Sequence, residues 1–259
     1  MLVETISLIK RSTGSESYVT DIEIDVDGHR IPFLFDTGAV SSNMAASGHA
    51  LNYPSLGKEE SKGASGQSTP CDIIQPLKIK IGQIEFEKPR IKRCNSNILG
   101  LDLIGKNGFE IDLKNLKLVL GLPTSINLSE PIRRLTPGHV TIPLKIENKL
   151  VDALFDTGAD TTVIDSKFVN EHKNYFELVR SEEGTDAHGH KIQSHIYRCR
   201  SLQVGILKLQ NVEMAAFDFG EFLRSKMEGS PLILGNNVIA KAKWYFNLKS
   251  GHWVAVNSD

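Results

Sequence analysis

The pentapeptide Phe-Asp-Thr-Gly-Ala occurs twice in this chain, at 35–39 and at 155–159. The two aspartates, Asp36 and Asp156, stand 120 residues apart in a protein of 259. A repeat near half the chain length points to a duplicated unit. A lone Asp-Thr-Gly is ordinary turn chemistry, because Asp and Gly both favour turns. Two copies in equivalent settings, each led by Leu and followed by Ala, carry more weight. If the copies pack about a pseudo-two-fold axis, the carboxylates meet and share one proton, and such a pair can activate water. The ionised member takes a proton from water while the protonated member donates to an amide oxygen. Gly38 and Gly158 allow a tight backbone that aims an N–H at a carboxylate. The hydroxyls of Thr37 and Thr157 can tie the two loops together. Phe35, Phe155, Ile98 and Ile233 are expected around the site, where apolar surroundings disfavour two adjacent negative charges. The titrations then belong to the pair rather than to either residue.

The elements that must position these residues also repeat. With 20–40 aligned on 140–160, Ile22 falls on Ile142, Ile24 on Leu144, Val26 on Ile146, Ile31 on Val151 and Leu34 on Leu154. Ile22, Ile24 and Val26 alternate with Glu23 and Asp25, the period of a half-buried strand. Asp27-Gly28 is a hairpin turn, with Asn148 at the matching place. Further on, Ile79-Lys80-Ile81-Gly82 with Ile84 and Phe86 matches Leu202-Gln203-Val204-Gly205 with Leu207 and Leu209. Ile98-Leu99-Gly100 matches Ile233-Leu234-Gly235. Short helical turns are expected at 101–106 and 236–242, then closing hairpins that pair 109–113 with 116–120 and 244–248 with 253–256. The second copy is longer, with most of its excess at 214–230 and a short amphipathic helix at 219–227. Residues 122–138, rich in Pro, Ser and Arg, read as a linker. Its Arg133-Arg134 pair reads as a solvated site, open to cleavage of the chain.

Composition narrows the class of partner. Apolar content of 40% is ordinary for a globular protein, and a net charge of −1 without long like-charge runs implies neither nucleic acid nor an anionic membrane. No stretch approaches a transmembrane helix, and the segment 1–9 lacks the basic start and long apolar run of a secretion leader. Cys71, Cys94 and Cys199 cannot form a complete disulfide set, so reduced thiols and cytoplasmic residence are expected.

The twin Phe-Asp-Thr-Gly-Ala, the later Ile-Leu-Gly, and the Gly-containing hairpins between them resemble the retropepsin-like aspartic peptidases. Residues 155–164, Phe-Asp-Thr-Gly-Ala-Asp-Thr-Thr-Val-Ile, are especially similar to retroviral proteases, which are homodimers with one Asp-Thr-Gly per chain. Here one chain carries both halves, as in pepsins. The resemblance covers about 18–121 and 139–256. It implies an all-β fold of two similar acid-protease lobes related by pseudo-two-fold symmetry, with a few short helices. The lobes would be 1–121 and 139–259, joined by the linker 122–138. It further implies an aspartic endopeptidase acting on extended, largely apolar segments, with no cofactor and no metal, and with catalytic Asp36 and Asp156 supported by Thr37, Gly38, Thr157 and Gly158. Two departures stand out. Leu101 and Asn236 occupy the place after Ile-Leu-Gly where retroviral enzymes usually have an Arg tied to the residue at Asp160, and neither candidate flap has the Tyr of pepsins.

Flaps over the cleft are expected at 62–67 and 183–190, with Gly63, Ala64, Ser65 and Gly66 in the first and Gly184, Ala187, His188 and Gly189 in the second, because glycines suit a mobile tip whose backbone can bond a peptide. His188, His190 and His195 read as solvated loop residues, since no Cys or carboxylate pattern completes a zinc site. Ala39 and Ala159 lack the hydroxyl found there in many pepsins, which raises the expected pH optimum to mildly acidic or near-neutral. The expected partner is a peptide or protein substrate, and the expected state a monomer, since one chain holds both catalytic halves. The alternative is a peptide- or protein-binding module of the same fold without turnover.

Overall fold

Period-two patterning becomes strand pairing throughout the protein. The structure is a computed structural model and describes every residue except 1–2, 15–16, 64–65, 106–107, 123–125, 135–137, 186–190 and 259. It is mostly β, with multiple curled sheets and short helices. In Tyr18–Val26 the side chains of Ile22, Ile24 and Val26 are fully buried, while Glu23 faces solvent. Asp27 and Gly28 both take positive φ, 51° and 87°, as a two-residue turn of the primed type requires. The next strand, His29–Phe35, pairs back on Tyr18–Val26 with Ile31 opposite Ile24. The second copy repeats this with Val140–Ile146 and Lys149–Phe155, Leu144 opposite Val151.

Among the described residues the strands form three sheets. One holds nine strands of the first copy in a continuous order, with Ile9–Ser12 added beside Tyr18–Val26. The second holds eight strands, from Arg133–Arg134 to Phe176–Thr185. The third is a base shared by both copies, in the order Glu4–Ser7, Lys117–Leu120, Phe109–Asp112, Lys243–Asn247, His252–Val256 and Glu130–Pro131. The closing hairpins of the two copies therefore join edge to edge, with Ile111 opposite Trp244. Their aromatic side chains fill the space below the site: Phe155 packs edge-on against Trp244 and Phe246, with centroids 5.1 and 4.7 Å apart.

Several expectations change. The 122–138 stretch is not unstructured where it is described. Glu130–Pro131 adds to the base sheet, Trp253 donates its indole N–H to the Pro131 carbonyl at 3.2 Å, and Arg133 is ion-paired with Asp152 and Glu228 rather than freely solvated. The extra helix of the second copy spans Gly220–Lys226, and Met214 belongs to the strand Leu207–Phe217 before it. A helix at Ser166–Glu171, capped by Asp165, had no counterpart in the sequence reading.

The cysteine reading is corrected outright. Cys71 and Cys94 lie on the neighbouring antiparallel strands Ser68–Ile74 and Ile91–Cys94 with Cα atoms 4.9 Å apart, and they form a disulfide. Counting three thiols favoured none, but an odd count leaves one thiol over without forbidding a pair. The remaining Cys199 is buried, and burial pushes its thiol up to about 11. The expectation of cytoplasmic residence leaned on reduced thiols, and the bond removes that support. Breaking the cross-link with Cys71→Ala is expected to lower stability by about 3 kcal/mol, the scale for a closed loop of this size. Urea unfolding with and without dithiothreitol checks this. Equal midpoints for the variant, the reduced protein and the oxidised protein would count against it.

Candidate functional site

Both Asp-Thr-Gly loops leave the ends of equivalent strands and are held by equivalent neighbours. His29–Phe35 runs parallel to Ile98–Leu99, which also pairs antiparallel with Asn43. In the second copy, Lys149–Phe155 runs parallel to Leu232–Leu234, which pairs antiparallel with Val163–Asp165. The Asp36 amide donates to Leu99 at 3.1 Å, and that of Asp156 to Leu234 at 3.0 Å. Each aspartate is thus placed by a strand threaded through its own lobe.

The two loops lock onto each other through their threonines. Thr37 N–H donates to Thr157 Oγ1 at 3.0 Å, and Thr157 N–H donates to Thr37 Oγ1 at 3.0 Å. Each hydroxyl also donates across the interface, Thr37 to the Phe155 carbonyl at 2.9 Å and Thr157 to the Phe35 carbonyl at 2.8 Å. Both threonines are buried, so these four bonds have no water to replace them.

This lock brings Asp36 and Asp156 within hydrogen-bond reach of each other. The Ala39 amide donates to Asp36 at 2.9 Å and the Gly158 amide to Asp156 at 2.8 Å. The glycines are required by close approach rather than by an unusual φ. A Cβ on Gly38 would collide with the Asp156 carboxylate, and one on Gly158 with that of Asp36. Burial, then the charge and hydrogen bond of Asp156, push the Asp36 carboxyl well above the ordinary carboxylate range, against the amides of Ala39 and Gly38. Burial also raises Asp156, opposed by Asp36 and by the amides of Gly158, Ala159 and Gly38. Two carboxyls so placed retain a proton between them.

A cleft of about 1930 Å³ opens above the pair, larger than the pockets that enclose single small ligands. Ile98 and Ile233 line it beside the aspartates, whereas Phe35 and Phe155 are buried beneath. Gly63 and Gly184 also line it. Gly66, at φ 76°, closes a turn with Gly63 and packs on Phe222 of the inserted helix. Ala64, Ser65, Ala187, His188 and Gly189 lie outside the described residues. His195 is paired with the Ser181 hydroxyl at 2.7 Å.

Some contributors were missed in the sequence. Ser42 and Thr162 each brace a loop behind the aspartates. Ser42 Oγ donates to Asp102 at 2.6 Å and accepts from the Gly100 amide, while Thr162 Oγ1 donates to Asn237 at 2.7 Å and accepts from the Gly235 amide. The signal was present, because Ser42 and Thr162 keep the repeat spacing and both carry hydroxyls. In place of an Arg tie, Asp160 accepts from Thr13 Oγ1 at 2.6 Å, and Asn236 donates to the Tyr18 and Thr157 carbonyls. His139 also lies in the cleft wall, against the Gly38 backbone.

With this geometry in place, comparison with known families gives one match: a model described as aspartyl protease fits residues 142–238. The span includes Asp156, Thr157, Gly158 and the Leu232–Leu234 strand, so the second copy contains an aspartyl protease-like domain. Comparison with curated proteins finds no match.

Two outcomes follow from the site's physics. Thr37→Val deletes a hydroxyl that makes two buried bonds and is expected to cost about 3 kcal/mol in urea unfolding, with Thr37→Ser recovering most of it. The second concerns pH. A carboxyl whose folded pKa is raised favours the fold while protonated, and that advantage is lost as pH rises through the raised value. Asp36→Asn escapes this loss. Its Tm relative to wild type should therefore climb between pH 4 and pH 7, and a gap that stays constant would contradict the raised carboxyl.

Proposed function

We propose that the protein is an aspartic endopeptidase that hydrolyses peptide bonds in extended segments by water activated between Asp36 and Asp156. The observation that carries this reading is the pair of carboxyls within hydrogen-bond reach, Asp36 buried and Asp156 half-buried, built from two equivalent loops at the floor of a long cleft. In the singly protonated state, the ionised carboxylate takes a proton from a water lying between the two. The protonated partner donates to the carbonyl oxygen of the scissile amide, so the tetrahedral intermediate forms without a free oxyanion. Its collapse returns a proton to the leaving nitrogen. The amides of Ala39 and Gly158 hold the carboxyls in place throughout.

Activity needs one proton on the pair, so it falls when pH passes the upper titration and again below the lower one. Raised carboxyls move the upper limb toward neutrality, which supports a mildly acidic to near-neutral optimum. The active form is a monomer acting on peptide or protein, and neither nucleic acid nor membrane takes part. Among the described residues no helix is long and apolar enough to cross a membrane.

The test is incubation with a mixed peptide library between pH 4 and 8, with cleavage read by mass spectrometry. Wild type should cut beside apolar residues, and Asp36→Asn and Asp156→Asn should each lose about 10³-fold or more. Peptide binding without cutting in the wild type would replace the enzyme with a binding module of the same fold.

A further inference from the structure

The inserted helix Gly220–Lys226 reaches over the cleft toward the first copy and brings a cation with it. Phe222 on this helix sits between two lysines. The Lys62 ammonium is 4.7 Å from the ring centroid and that of Lys226 is 5.1 Å from it. Lys62 ends the strand Lys58–Lys62 at the base of the first flap. A third lysine, Lys92 on the strand Ile91–Cys94, lines the same cleft. Lys62 and Lys92 are each close enough to Lys226 to interact with it, and Lys226, half-buried, is held below its ordinary pKa by burial and then by Lys92 and Lys62.

Little on the protein neutralises this group. Lys92 reaches Glu59 at 3.5 Å, and among the described residues neither Lys62 nor Lys226 has a carboxylate within ion-pair distance. The charge of Lys226 also reaches His139, which burial and then Lys226 hold below its ordinary pKa while it touches the Gly38 backbone. Lys226 is thereby linked through His139 to the backbone beside the aspartate pair. Two ammonium groups on one ring, with a third on the wall of the same cleft, leave a positive field that an anion would relieve.

We propose that Lys62, Lys92 and Lys226 form a subsite for an anionic side chain of the substrate, a carboxylate or a phosphoester, a few residues from the scissile bond. This rests on the peptidase reading above and adds an acidic requirement to its apolar one. Phe222 holds Lys62 and Lys226 at the subsite by their cation–ring contacts. Both lobes contribute, so an acidic side chain seated here bridges the first flap to the inserted helix.

The experiment uses an extended apolar peptide, remade with Glu, phosphoserine or Gln scanned through each position. Turnover is measured on the wild type, and affinity is measured separately by fluorescence anisotropy on Asp36→Asn. At one position the Glu or phosphoserine peptide should exceed its Gln twin by about tenfold in kcat/KM and in affinity, with the better of the two naming the anion. The advantage should shrink at 0.5 M salt, and Lys226→Gln and Lys62→Gln should each bring the anionic peptide toward the Gln value. Equal handling of Gln and anionic peptides at every position overturns the subsite, as does an advantage that survives both substitutions, or no binding by any peptide. No turnover of any peptide by the wild type, with the anionic preference kept in binding, would sink the peptidase reading and leave the subsite standing.

Discussion

The reciprocal bonds between Thr37 and Thr157 are the constraint on which the rest depends. Each threonine accepts an amide hydrogen from the other loop and donates its own hydroxyl hydrogen to the strand carrying the opposite aspartate. A carboxyl pair inside a protein is an unfavourable thing to assemble, because both groups lose water and neither can offer the other full charge compensation. Something else must hold them together. Here that force is a closed set of buried neutral hydrogen bonds, which keeps its strength whatever the protonation state of the acids beside it.

Around this lock the fold is arranged in shells. The Ile-Leu-Gly strands fix the loops from behind, and Ser42 with Asp102 and Thr162 with Asn237 fix those strands in turn. The Ser42–Asp102 arm is itself partly buried, and burial raises Asp102 against the bonds from Ser42. Below, Phe155 rests on Trp244 and Phe246, residues of the sheet that joins both closing hairpins edge to edge. The inserted helix is tethered by Arg224, whose guanidinium takes both oxygens of Asp165 at 2.6 and 2.9 Å.

Much of this could be read in the chain. The alternation of Ile22, Ile24 and Val26, the Asp27-Gly28 turn, and the glycine hairpins at Gly82 and Gly205 are local signals, and local signals survive into the fold. The meeting of Asp36 and Asp156 was foreseeable because a repeat carries a symmetry argument across long sequence separations. What escaped was long-range and asymmetric. Cys71 meets Cys94 only because two strands pair in a register that no period announces. Glu4–Ser7 finds its place at the edge of the base sheet through partners more than a hundred residues away. Lys62, Lys92 and Lys226 converge from three separate elements, and nothing in their neighbours marks them as a group. The Arg absent after Ile-Leu-Gly was visible, but its replacement by Thr13 on Asp160 was not, since Thr13 lies outside the repeat.

Among the described residues the helix Gly220–Lys226 has no counterpart in the first copy, and this bears on direction. A cleft with true two-fold symmetry looks the same when a chain is laid in it from either end, so amino-to-carboxyl polarity has two equivalent answers. Here one end of the cleft carries Phe222, Leu223 and Lys226 and the other does not. The two ends of the groove thus differ, and that difference gives it a front and a back.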